Sequence, residues 1–209
     1  MSLEIECKYL DVDHAALRTI LKALHASCAG RWFESNVVFD DHARSLRASG
    51  TLLRLREAAG RAILTLKRAV DEASSPLAKK AEEIETEVQD AGSLAAILAG
   101  LGLCPALRYE KIRETWKLLD CEICLDTLPF GDFVEIEGSE TGLAACAKAL
   151  GLPARQASTA TYHELNRQHR AARGEAPDES FVFAAADKAR LLARLSADEL
   201  QPCPSTATT

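Results

Sequence analysis

The sequence predicts an α+β fold in which antiparallel strands make up the larger part. Three observations carry that expectation. Eight short segments alternate charged with apolar residues, the period-2 signature of strands with two unlike faces. Turn-prone pieces such as Ala59-Gly60, Ser74-Ser75-Pro76 and Leu128-Pro129-Phe130-Gly131 separate them at hairpin spacing. The helical periods are few and short, and fall between strands or toward the C-terminal end.

Leu3 to Leu10 is the first strand. Behind Asp13, a candidate N-cap, Leu17, Ile20, Leu21 and Leu24 recur at helical spacing and predict a helix over 13–28 that ends near Gly30. Strands are then predicted at 35–40, 51–58, 61–69, 82–89, 107–118, 121–127 and 132–138. Two short helices interrupt them, one on Leu94, Ile97, Leu98 and Leu101, the other on Leu143, Cys146, Ala147 and Leu150, with Gly102 and Gly151 where C-caps belong. A further helix is expected from Ser158 through Tyr162 and Leu165 to the basic stretch Arg167–Arg173, and a last one over 186–200. Gln201–Thr209 is a Pro/Ser/Thr tail expected to be disordered. The expected organisation is one domain over 1–172 and an extension over 173–209.

The 209 residues suffice for one large domain with a tail but not for two full domains. Hydrophobic residues at 47% and charged ones at 27% describe a soluble globular chain and exclude disorder over most of it. With 25 Lys+Arg against 31 Asp+Glu the net charge is −6, which argues against wholesale binding of a nucleic-acid backbone or an anionic bilayer. The N-terminus is acidic within four residues, unlike a secretory signal, and no apolar run approaches membrane-spanning length. Seven cysteines are scattered without a disulfide rhythm, so a reducing cytoplasm is the expected compartment. Cys121 and Cys124 form a CxxC, but in a strand that spacing points them to opposite faces; reduced cysteines are expected rather than a metal or redox site.

The strand parities carry the chemistry. Glu4, Glu6 and Lys8 share one face of the first strand. Arg54 and Arg56 alternate with Leu53 and Leu55, Thr65 and Lys67 with Leu64 and Leu66, and Glu83, Glu85 and Glu87 with Ile84 and Val88. Lys111 and Arg113 flank Ile112, Glu122 and Asp126 flank Ile123 and Leu125, and Glu135 and Glu137 flank Ile136. A sheet with one solvated side produces such alternation. A closed sheet with the charged face inward produces it too. Because the polar face is almost wholly Glu, Arg and Lys, a lumen of this composition would need counterions, which a polyanion with divalent metal supplies: carboxylates suit Mg²⁺ or Mn²⁺, and Arg and Lys suit phosphate oxygens. The pattern alone leaves both arrangements open.

The order of the motifs goes further. Glu4-x-Glu6-x-Lys8 is an ExExK signature; after it come Phe39-Asp40-Asp41, Leu53-Arg54-Leu55-Arg56, Leu64-Thr65-Leu66-Lys67, Glu83-Ile84-Glu85, Lys111-Ile112-Arg113, Leu125-Asp126, and Phe130 to Glu137. Over about residues 3 to 168 this series resembles the CYTH family, the triphosphate tunnel metalloenzymes, which includes class IV adenylyl cyclases, thiamine triphosphatases and inorganic triphosphatases. The resemblance implies an eight-stranded antiparallel tunnel, a closed barrel with helices packed outside. It implies Mg²⁺ or Mn²⁺ held by Glu4, Glu6, Glu135 and Glu137, with Glu85 and Asp126 as further ligands or as supports behind them. It implies a triphosphate bound by Lys8, Arg54, Arg56, Lys67, Lys111 and Arg113, with Glu4, Glu6 and Lys8 at the catalytic centre. Two positions depart from the family pattern. Asp41 stands where a threonine is usual. The family's basic residue before the Ser/Thr-Tyr of the last helix is missing from Ser158-Thr159-Ala160-Thr161-Tyr162, with Arg155 as a substitute.

The function expected is metal-dependent hydrolysis of inorganic triphosphate, thiamine triphosphate or a nucleoside triphosphate. The alternatives are a class IV adenylyl cyclase and a triphosphate- or polyphosphate-binding module without turnover. A homodimer is compatible with either enzyme. Trp32 and Trp116 are read as packing groups, and His14, His25, His42, His163 and His169 as surface residues outside catalysis.

Overall fold

The structure, a computed structural model, describes residues 2–70 and 78–199. The strands are β1 (Ser2–Tyr9), β2 (Ser27–Asp40), β3 (Thr51–Ala58), β4 (Arg61–Ala69), β5 (Lys79–Val88), β6 (Cys104–Leu118), β7 (Cys121–Leu128), β8 (Gly131–Glu137) and the two-residue β9 (Ala157–Ser158). The helices are α1 (His14–Ala23), α2 (Ser45–Ala48), α3 (Ala91–Gly100), α4 (Glu140–Ala149), α5 (Tyr162–Ala172) and α6 (Ala185–Glu199). Neighbours run β5-β4-β3-β2-β6-β7-β8-β1, all antiparallel, and β1 returns to β5. Eight strands are thereby closed into a barrel, as the resemblance implied. Along one edge of β1, β5 takes Ser2–Glu6 and β9 takes Lys8 and Tyr9.

All eight predicted strands are present, with boundaries that differ where turn chemistry intervenes. α1 stops at Ala23, short of the predicted 28, because His25 adopts a left-handed φ of 55° and the Ala26 N–H turns back to the Leu21 carbonyl. β2 therefore starts at Ser27, and Gly30 is not a helix cap. It sits in the strand at φ 136°, where the pairing with β6 slips between Cys28 and Gly30. The β3–β4 hairpin turns on Ala59-Gly60, both left-handed, the conformation that matches strand twist. α5 begins at Tyr162, not Ser158: Thr161 and Glu164 form a reciprocal capping box. Ser74-Ser75-Pro76 and the Gln201–Thr209 tail lie outside the described residues.

The apolar faces point outward and are covered by helices. α1 and α4 lay Leu17, Leu21, Leu143, Cys146 and Leu150 on Trp116, Ile123, Leu125, Val134 and Ile136. α3 covers Phe39, Leu53 and Leu55 with Leu98. A third cluster, Val38, Tyr109, Leu128, Phe133, Tyr162, Leu165 and Phe181, plugs one end of the barrel beneath α5. Phe181 is held there by backbone bonds: its N–H donates to the Arg108 carbonyl and its carbonyl accepts from the Glu110 N–H. Two buried carboxylates on the outward face of β6 tie helices to the barrel, Glu110 to Lys188 of α6 at 2.6 Å and Glu114 to Arg18 of α1 at 2.8 Å. Trp116 is buried and bonded to Glu114, and Trp32 is half-buried and bonded to Glu34. His14 and His163 correct the expectation of surface histidines: His14 is buried with Nε2 on the Phe133 carbonyl, and His163 packs edge-on against Tyr109.

The opposed faces predict opposed phenotypes. Leu55→Ala removes a buried side chain from beneath α3 and is expected to cost about 2–5 kcal/mol of stability. Arg54→Ala, one residue away and facing inward, is expected to keep most of the stability and weaken triphosphate binding. Urea melts of both variants beside substrate titrations check this; a melted Arg54→Ala with normal binding by its folded fraction would reverse the faces.

Candidate functional site

Inside the barrel the charged face encloses a cavity of about 690 Å³. Eleven of the sequence-predicted site residues line it: Glu4, Glu6, Lys8, Arg54, Arg56, Lys67, Glu85, Lys111, Arg113, Glu135 and, near the end of β8, Glu137. Asp126 does not line it. That carboxylate is wholly buried in the wall, accepting from Arg113 at 2.8 and 2.6 Å, from Lys111 at 3.0 Å and from the Tyr162 hydroxyl at 2.9 Å.

Charge is sorted along the strands. Leu128 of β7 and Phe133 of β8 belong to the plug under α5, so Glu122 and Glu137, at the far ends of the same strands, lie toward the opposite mouth. There burial, and after it the nearby Glu4, Glu122 and Glu83 carboxylates, push the Glu137 carboxyl up to about 7, with Lys67 opposing. Deeper in, bases and carboxylates interlock. Lys8 donates to Glu135 at 2.5 Å, Arg113 also reaches Glu135, and Lys67 is bonded to Glu4. Arg54 donates to the Tyr109 hydroxyl and to Thr65, each at 3.2 Å, and Thr65 passes a bond of 2.6 Å to Glu85. Burial opposes charge on the Lys8 ammonium, but Glu135 and Glu6 outweigh it and raise its pKa, which favours the charged ammonium. Its ammonium sits 4.2 Å from the centre of the Tyr162 ring.

Several members of the site were not singled out from sequence. Glu34 is buried on the inward face of β2, 3.6 Å from Lys111; burial opposes its charge, but Lys111 first, then Arg113 and Arg56, hold its carboxyl at about 2. Asn36, two residues on, is buried with neither amide atom hydrogen-bonded. Both precede Phe39-Asp40, where the alternation Glu34-x-Asn36-x-Val38 was the available signal. Lys79 adds an ammonium to the lining because β5 begins three residues before the predicted 82. Arg155 is exposed in a 3-10 turn and is not part of the lining. Asp40 and Asp41 accept N–H groups of Ser45, Leu46 and Arg47, which anchors α2; Asp41 in place of threonine is part of that turn.

Among the described residues no three acidic, His or Cys side chains are grouped closely enough to hold a metal ion in this arrangement. The donor chemistry nonetheless fits a hard divalent cation. Burial first, then the neighbouring Glu4, Glu122 and Glu83 carboxylates, oppose ionisation of Glu137, and these hard oxygen donors gathered at one mouth suit a divalent cation. Among the described residues no helix is long and apolar enough to cross a membrane.

The CYTH domain pattern matches residues 2–150. A Methanocaldococcus jannaschii protein whose name calls it a provisional adenylate cyclase is 30% identical over 139 residues, 66% of this chain and 77% of that protein. A Vibrio parahaemolyticus structure, also named as a provisional adenylate cyclase, superposes with a TM-score of 0.67 at 26% identity, covering 79% of this chain and 98% of that one. A Hippeastrum structure superposes at 0.60 with 19% identity, over 87% of this chain and 100% of the other, and shows the same fold. CYTH proteins are triphosphatases or adenylyl cyclases that act on triphosphate substrates with a divalent metal. With the family's tunnel, its ordered motifs and the match over 2–150, this chain belongs to the CYTH family.

Proposed function

We propose that the protein hydrolyses a triphosphate in the tunnel with Mg²⁺ or Mn²⁺. The observation that carries this reading is the sorting of charge: six bases, Lys8, Arg54, Arg56, Lys67, Lys111 and Arg113, beside a carboxylate group in which Glu137 is held up to about 7. A cation bound by Glu4, Glu6, Glu135 and Glu137 would neutralise phosphate charge and supply an acidified water. The chain's own bases do the rest. Lys67 is bonded to Glu4, and Lys8 and Arg113 to Glu135, so with a cation on the carboxylates these bases would turn to phosphate oxygens, and no buried charge would be left without a partner. Arg54 and Arg56, steadied by Tyr109, Thr65 and Glu85, hold the phosphate chain and stabilise charge developing on the leaving phosphate. Asp126 supports Lys111 and Arg113 from behind, and Glu85 pairs with Arg56 within the lining.

The relatives named as adenylate cyclases favour a second reading, in which a ribose hydroxyl attacks the α-phosphorus and pyrophosphate leaves. The Hippeastrum protein, also named as a provisional adenylyl cyclase, is described as having a dominant triphosphatase activity, which supports hydrolysis. Purified protein with Mg²⁺ or Mn²⁺ is to be given inorganic triphosphate, thiamine triphosphate and ATP, with phosphate, pyrophosphate and cyclic AMP assayed separately. Phosphate release is expected. Cyclic AMP with equimolar pyrophosphate would replace hydrolase by cyclase, and tight binding without product would make the tunnel a binding module.

A further inference from the structure

Three neighbours on the inward face of β2 and β3 hold buried atoms without a hydrogen bond: Glu34 with Oε2, Asn36 with both amide atoms, and Arg54 with Nε. Asn36 is 1% exposed and Glu34 2%. A buried amide left unpaired costs free energy, and folded proteins pair nearly all such groups. The four atoms are two donors and two acceptors, and they are complementary: Asn36 Nδ2 suits Glu34 Oε2, and Arg54 Nε suits Asn36 Oδ1. The register brings them within reach. Glu34 and Asn36 stand two residues apart on one face of β2, roughly 7 Å between Cα atoms. Arg56 is the cross-strand partner of Asn36, and Arg54 that of Val38, so Arg54 is the diagonal neighbour of Asn36, a separation that a long side chain spans.

The chain of bonds stays open because of where its two ends point. One terminal nitrogen of Arg54 donates to the Tyr109 hydroxyl and the other to Thr65, each at 3.2 Å, and the guanidinium lies 3.6 Å from Glu85. These partners stand on β6, β4 and β5, and they leave Nε unheld. Glu34 is turned to its own strand, where Oε1 accepts from the Trp32 indole N–H at 3.0 Å. A fork of guanidinium onto phosphate oxygens asks Arg54 to turn toward the lumen. The turned side chain then needs an acceptor for Nε, and Asn36 Oδ1 is the unpaired one beside it.

We propose that Asn36 is a positioning residue for the phosphate chain: with triphosphate bound, Arg54 Nε donates to Asn36 Oδ1 and Asn36 Nδ2 donates to Glu34 Oε2, so that β2 holds the arginine from behind while its terminal nitrogens face phosphate oxygens. This rests on the triphosphatase reading and deepens it. The buried amide is unpaired in the free protein because its partners move into place with the substrate.

The expected signature is opposite signs for stability and binding in the full chain. Asn36→Leu replaces an unpaired amide by an apolar side chain of similar size, so in urea melts without ligand it should be at least as stable as the parent. Calorimetric Kd values for inorganic triphosphate and for ATP, each with Mg²⁺, should nonetheless rise by roughly 10-fold, the scale of one hydrogen bond to a charged group. Asn36→Asp keeps an acceptor for Arg54 and should recover most of the affinity. Asn36→Ala adds no bulk and carries the same binding comparison if leucine is not accommodated. In Arg54→Ala, where the partner is gone, adding Asn36→Leu should weaken binding no further. A folded Asn36→Leu or Asn36→Ala that binds both ligands as the parent does, or an equal loss with and without Arg54, would overturn the role. Because Kd is read without turnover, the two readings fail separately: hydrolysis by a protein whose binding is indifferent to Asn36 removes the positioning role alone, and binding that depends on Asn36 with no product removes the hydrolase alone.

Discussion

Glu4→Gln and Glu137→Gln are expected to lower triphosphate turnover by at least about 100-fold while the fold survives. Glutamine keeps the shape of the side chain but removes the negative oxygen that a hard cation selects. Glu137 also predicts how the loss depends on pH. Its carboxyl stands at about 7 in the folded chain against an ordinary 4.5, so between those values the folded state binds more protons than the unfolded one. The metal-free protein therefore loses stability as pH rises from 4.5 through about 7. Manganese favours the ionised carboxylate, so its affinity should rise across the same window and its binding should release protons near pH 6. In Glu137→Gln both the pH-dependent loss and the proton release shrink. Calorimetry in buffers of different ionisation enthalpy counts the protons. Turnover close to normal in Glu4→Gln and Glu137→Gln at saturating Mg²⁺ and Mn²⁺, or pH-independent affinity without proton release, would remove the metal assignment.

Strand parity made most of the barrel wall legible. Glu4, Glu6 and Lys8, or Arg54 and Arg56, had to share a face whatever the fold, and the register then set those faces inward. Parity reports the face of a side chain but not its depth. Asp126 shares the inward parity of Glu122, yet only the three-dimensional structure shows it buried beneath Lys111, Arg113 and Tyr162. Parity also misleads where a helix supplies the partner. Glu110 and Glu114 face outward among apolar neighbours, and are tolerated because Lys188 and Arg18 reach them from α6 and α1. Helix period had a blind spot of its own: nothing in Leu17 to Leu24 signals that His25 turns left-handed and hands the next fourteen residues to β2. Glu34 was hidden inside that stretch.

Asp126→Ala is expected to destabilise the chain by about 3–5 kcal/mol, because it leaves two buried cations and a hydroxyl without their shared acceptor. Lys111 and Arg113 would then hold only Glu34 and Glu135, and Glu135 already serves Lys8. Asp126→Asn keeps the volume but replaces an oxygen that accepts with an amide that donates, facing groups that also donate, so it is not expected to rescue stability. Tyr162→Phe removes a single bond from the same carboxylate and should cost about 1 kcal/mol. The ordering Asp126→Ala, then Tyr162→Phe, then Glu4→Gln in loss of stability separates groups that build the wall from groups that face the cavity, since Glu4 lines the open lumen and Asp126 does not. Urea denaturation of the three variants, with Mn²⁺ affinity measured on the folded fraction, reads both axes. An Asp126→Ala protein as stable as its parent but unable to bind Mn²⁺ would make Asp126 a metal ligand exposed to the lumen, and the hub of the cationic wall would have to be sought elsewhere.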